Sequence, residues 1–154
     1  MPWADVVAVA KRVERLLLPG ECLLCKDALP VVDEDALICG LCRSRWAGVA
    51  APVCDRCGEP AYLGIACRLC AGWPDGFSRV RSAVWLEETA RRAVHHLKYD
   101  GWWRAAEAMA AAMQALPPLT GRPDLVPIPL GARRSRRRGY NQSERLAAAL
   151  ARFG

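Results

Sequence analysis

Cys22-Leu23-Leu24-Cys25, Cys39-Gly40-Leu41-Cys42, Cys54-Asp55-Arg56-Cys57 and Cys67-Arg68-Leu69-Cys70 account for all eight cysteines of the 154-residue chain, and their spacing decides how its first half folds. A C-x-x-C pair brings two sulfurs onto one ion from a tight turn, and two such pairs complete a tetrahedron of thiolates around Zn²⁺. The intervals suit that use: thirteen residues lie between Cys25 and Cys39, nine between Cys57 and Cys67, and eleven join the two halves. Gly40 inside the second pair and Gly58 after Cys57 permit the backbone turns that aim N–H groups at sulfur, and Asp33-Glu34-Asp35 and Gly64 are turn positions between the pairs. The expectation is two structural Cys₄ zinc sites, Cys22/Cys25 with Cys39/Cys42 and Cys54/Cys57 with Cys67/Cys70; interleaved pairing stays open. A disulfide scaffold would require an oxidising compartment, iron–sulfur ligation uses less even runs of cysteine, and four redox-active pairs would need four separate domains.

Outside the cysteines the chain reads as ordinary globular protein, 53% hydrophobic and 25% charged, which excludes disorder, collagen and coiled coil. The longest uncharged run, Ala108 to Gly121, has 14 residues and is too short for a membrane span. The amino terminus, Met1-Pro2-Trp3-Ala4-Asp5, lacks the early basic residues of a secretory signal, so a cytoplasmic protein is expected. Residues 1–19 read as a short amphipathic helix, with Val6, Val9, Val13 and Leu16 on one side and Pro19-Gly20 as its stop; packing on the protein itself is favoured over a membrane surface. The ribbons occupy residues 20–73, and the turn-rich Gly72-Trp73-Pro74-Asp75-Gly76 opens a second domain over 77–154.

In that second domain Phe77 to Leu86 reads as a strand, and Glu87-Glu88 open a helix that Asp100-Gly101 breaks. The adjacent His95 and His96 should point to different sides of it, serving no common site. Trp102 to Leu116 reads as a second helix, its tryptophans packing a core in preference to stacking bases. Asp124 to Leu130 is a short apolar strand. A basic strand-to-helix loop follows, holding Arg133, Arg134, Arg136, Arg137 and Arg138, and then a helix capped by Asn141 with Glu144.

The whole formal net charge of +6 resides in residues 133–154, where seven Arg face the single acid Glu144. Eight thiolates holding two Zn²⁺ would remove four charges, leaving about +2. Basic side chains converging with helix N–H groups suit phosphate, and a merely solvated basic loop is the plainer alternative.

These segments together resemble the ComF family: four C-x-x-C pairs, Leu97-Lys98-Tyr99-Asp100-Gly101, Val126-Pro127-Ile128-Pro129-Leu130, and Arg136-Arg137-Arg138-Gly139-Tyr140-Asn141-Gln142. The resemblance implies an α/β fold, an amino-terminal double zinc ribbon followed by a type I phosphoribosyltransferase-like domain. It also implies a phosphoribosyl-pyrophosphate ligand and, in some members, a role in taking up single-stranded DNA. The family's acidic pair and Thr/Gly-rich phosphate loop have no counterpart here: the only threonines are Thr89 and Thr120. The domain is therefore expected to be incomplete, catalytically silent in this chain, and either aggregation-prone or reliant on a separately encoded carboxyl-terminal remainder. Single-stranded DNA or a phosphate-bearing ligand is the expected partner, through Arg133, Arg134, Arg136, Arg137, Arg138, Asn141 and Gln142. The alternative is a zinc-ribbon nucleic-acid-binding or interaction module using the same arginines.

Overall fold

A computed structural model of the chain describes residues 20–30, 36–61, 67–117 and 124–153. The amphipathic helix expected over residues 1–19 and the turns at Asp33–Asp35 and Gly64 lie outside the described residues.

Two knuckles of the same design lie at Cys22–Asp27 and Cys54–Glu59. In the first, Cys22 N donates to Asp27 O at 2.8 Å and Lys26 N to Cys22 O at 2.9 Å, with Lys26 at φ 67°. In the second, Cys54 N donates to Glu59 O at 2.8 Å and Gly58 N to Cys54 O at 2.9 Å, with Gly58 at φ 73°. The left-handed residue bends the chain back, so that Glu21 bridges Ala28 and Val53 bridges Pro60. The first ribbon closes with a short helix, α1 (Gly40–Ser44), whose amino-terminal cap is the Cys39 side chain accepting from Cys42 N.

The remaining elements are helices: α2 (Glu88–Tyr99), α3 (Ala105–Met113), α4 (Ala132–Arg138) and α5 (Gln142–Leu150). Helix α2 opens on Glu88 and stops at Asp100-Gly101, where Gly101 adopts φ 79°, as the sequence predicts. Helix α3 is shorter than the predicted Trp102–Leu116, because Trp102 to Arg104 form a turn in which Trp103 N donates to Gly101 O. It packs on both α2 and α5, and α1 packs on α2. Alanines make this close approach possible: Ala93, Ala105 and Ala110 have no exposed surface.

The core runs from the first ribbon into the helices without a break. Cys22, Leu24, Ile38, Cys42 and Trp46 pack with Ala90, Ala93, Leu97, Ala105 and Ala106 in one buried cluster. Arg92 Nη2 adds a 2.6 Å bond to Leu24 O. The second ribbon is tied to the linker behind it. Arg56 donates to the carbonyls of Cys70, Trp73, Pro74 and Phe77, and Arg81 to those of Cys54 and Asp55.

Three expectations are corrected. Neither Phe77–Leu86 nor Asp124–Leu130 forms a strand among the described residues; the first makes only an isolated bridge between Val84 and Gly48, and an extended segment becomes a strand only by pairing. The segment read as a basic loop is helix α4, running from Gly131 to a left-handed Gly139 at φ 77°. Trp102 and Trp103 are 46% and 40% exposed, at the rim of the core and not within it.

Candidate metal centres and basic surface

The sulfurs of Cys22, Cys25, Cys39 and Cys42 lie within 4.8 Å of one another, as do those of Cys54, Cys57, Cys67 and Cys70. The pairing is therefore consecutive, and all eight thiols are free. Adjacent sulfurs stand 3.8 Å apart between Cys25 and Cys39, 3.7 Å between Cys54 and Cys70, and 3.5 Å between Cys57 and Cys67. Four ligands at a Zn–S distance of 2.3 Å form a tetrahedron with edges of about 3.8 Å. Both groups fit that figure.

The backbone prepares the sulfurs to be anionic. Burial opposes ionisation of Cys22, but the backbone N–H groups of Cys25, Cys39 and Leu24 outweigh it and bring the thiol down to about 6. The Cys39 contact is a 3.3 Å bond. At the second site the N–H groups of Cys57 and Arg56 bring Cys54 down to about 6 as well. Burial, reinforced by hydrogen bonds with the other thiols, pushes Cys42 and Cys70 up to about 12. A divalent cation reverses that repulsion, which is why four crowded thiols suit an ion and not an empty pocket.

The carboxyl-terminal motifs converge on the start of α5. Tyr140 donates its hydroxyl proton to Leu97 O, and burial holds its phenol above the usual range. Arg138 lies over the Tyr99 ring at 4.9 Å and donates to Gln142 Oε1 at 2.8 Å. The Nε of Arg138 is screened from solvent and has no acceptor among the described residues. Asn141 accepts from Ser143 N with its oxygen and donates from its amide nitrogen to Ile128 O at 3.0 Å and Glu144 Oε1 at 3.1 Å. One buried asparagine thus caps α5 as the sequence predicts and also holds the 124–130 segment, a second role that its sequence context does not signal.

The expected site residues are therefore partly together. Arg138 and Gln142 are hydrogen-bonded to each other, Asn141 bonds instead to Ile128, Ser143 and Glu144, and Arg133, Arg134, Arg136 and Arg137 are exposed along α4. The adjacent histidines do share a partner, contrary to their expected divergence. His96 Nδ1 lies 2.7 Å and His95 Nδ1 3.3 Å from Asp100 Oδ2, because the carboxylate sits just past the helix end, where side chains from both positions reach it. That carboxyl is held below its usual range by His96 first and then His95.

Two four-thiolate sites on successive knuckles define a double-zinc-ribbon protein, and residues 13–71 match the double zinc ribbon domain. The chain is 31% identical over 147 residues to the DNA utilization protein YhgH of Escherichia coli K12, covering 90% of this chain and 63% of the relative. It is 31% identical to YhgH of Salmonella typhimurium, over 88% of this chain and 62% of the relative. It is 28% identical to the competence protein ComFC of Bacillus subtilis, over 84% and 61%. The chain thus carries a double zinc ribbon and is similar to YhgH and ComFC at about 30% identity over most of its length. It spans about three-fifths of the length of the curated relatives it matches. No solved structure matches it. Among the described residues, no helix is long and apolar enough to cross a membrane.

Proposed function

We propose that the chain is the zinc-ribbon and leading portion of a ComF-type protein that handles single-stranded DNA. The relatives' names point to DNA utilization and competence. The observation that carries the reading is helix α4, five arginines in seven residues, four of them exposed. Arg133, Arg134, Arg136 and Arg137 meet phosphates; Arg138 is braced by Tyr99 and Gln142 at the end of the same helix. The zinc ions are structural and take no part in the contact. Residues 77–154 are assigned to a phosphoribosyltransferase-like domain, supported by the meeting of its three motif segments around Asn141 and Tyr140. No sheet and no transferase chemistry are assigned to this stretch, because the acidic pair and phosphate loop are not in it.

Fluorescence anisotropy with a labelled oligodeoxynucleotide tests the reading. Four arginine–phosphate contacts make log K fall against log salt with a slope of about −2.8 on single strands, and Arg136→Glu with Arg137→Glu flattens it by at least about 1.4. Salt-insensitive binding, or none, overturns it.

A further inference from the structure

The two zinc sites have the same ligands and different surroundings. Cys22 and Cys42 of the first belong to the buried core shared with α2 and α3, and Cys25 and Cys39 pack against it. None of Cys54, Cys57, Cys67 and Cys70 takes part in that cluster. At the second site three sulfur-bearing residues are half-buried and only Cys70 is buried, 5% exposed. The second ribbon is tied to the linker by hydrogen bonds to main-chain carbonyls: the Arg56 and Arg81 side chains reach carbonyls of the linker and knuckle, and Val80 N donates to Arg56 O at 2.7 Å. Such bonds give way in a local opening, whereas exposing Cys22 or Cys42 requires the helical core to open with them.

We propose that the second site, Cys54/Cys57/Cys67/Cys70, is a peroxide-sensitive zinc site that releases its ion while the first site and the helices stay folded. Zinc-bound thiolates remain nucleophilic, and exposure decides which of them a peroxide reaches. One thiolate attacks a peroxide oxygen, breaking the O–O bond and giving a sulfenic acid and, with one proton, water. A second thiolate attacks that sulfur, forming the S–S bond and, with another proton, releasing a second water. Two peroxides thus oxidise the four thiolates to two disulfides by four electrons, and Zn²⁺ leaves as the hydrated ion. Cys57 and Cys67, with sulfurs 3.5 Å apart, and Cys54 and Cys70, at 3.7 Å, are the pairs placed to react.

The experiment is stepwise hydrogen peroxide on the zinc-loaded chain, followed by native mass spectrometry, disulfide mapping and far-ultraviolet circular dichroism. The first zinc should leave at least about tenfold faster than the second, as a sub-global opening precedes the global one. Its loss should be accompanied by disulfides confined to Cys54, Cys57, Cys67 and Cys70 and by an unchanged helical signal. The variant Cys57→Ser with Cys67→Ser should bind one zinc per chain and keep that signal. Simultaneous loss of both ions, earlier oxidation of Cys22 or Cys42, or a double variant without helical structure would each overturn the proposal.

Discussion

Lys26 and Gly58 stand at the same place in the two knuckles, both with positive φ, yet only one is the residue that conformation favours. A side chain in the left-handed region costs roughly 1 kcal/mol against glycine. Lys26→Gly should therefore stabilise the first ribbon by up to about 1 kcal/mol, with glycine's larger unfolded-state entropy subtracting from the gain. Gly58→Ala should act in the opposite sense and more strongly. Its new methyl would sit 2.8 Å from Val80 O, a backbone atom held in place because Arg81 donates to it. Strain and clash together cost about 2 kcal/mol or more. Competition with a chromogenic chelator checks both: the Gly58 variant should surrender one zinc per chain more readily, while the Lys26 variant holds its zinc at least as tightly as the parent. The glycine after Cys57 was legible as a turn residue; Lys26 was not, because nothing in a lysine announces positive φ until the repeat is seen.

Between elements, the bond from Tyr140 to Leu97 O fixes the start of α5 against the end of α2. Burial raises the phenol's pKa in the folded chain, so the folded state favours the protonated, donating form. That contribution is fully present below the unfolded tyrosine value near about 10, and it is lost as pH rises through the higher folded value. Tyr140→Phe should cost about 1 kcal/mol at neutral pH, and the difference from the parent should shrink above about pH 10. Urea midpoints of the two proteins at pH 8 and pH 11 measure it. Element identity was readable where local chemistry sets it: the cysteine knuckles, the Glu88 opening, the Asp100-Gly101 stop and the Asn141 cap. It failed where pairing or neighbours decide. Val126-Pro127-Ile128 looks like a strand, but strand pairing is a property of a partner that the segment itself does not encode. The arginine run looks like a loop by its charge, yet Gly131 and Gly139 bound it as one short helix, and arginine is a good helix former. His95 and His96 diverge by helical spacing, and only the position of Asp100 beyond the helix end reunites them.

Across the whole molecule, net positive charge is concentrated at the carboxyl-terminal end, and the two most exposed large hydrophobics among the described residues lie just ahead of it. Val126 is 83% and Ile128 76% exposed, with Leu125 at 46%, directly ahead of the exposed arginines of α4. The segment is held by a main-chain bond, Asn141 Nδ2 to Ile128 O, so its position does not depend on burying those side chains. An extended, apolar, unpaired segment is a template for association, and the positive charge beside it opposes association through repulsion that salt screens. Self-association should therefore increase with ionic strength, opposite to the salt response expected for DNA binding. Val126→Thr with Ile128→Thr removes apolar surface while keeping β-branched backbone preferences and the Ile128 carbonyl. Sedimentation velocity on the zinc-loaded protein at 50 mM and 500 mM salt should show the parent shifting toward larger species and the double variant staying unchanged, with zinc content and thermal midpoint equal in both. A double variant that still associates on raising the salt would place the contact elsewhere, with the exposed Leu86, Trp102, Trp103 and Phe153 among the other large apolar groups to be replaced.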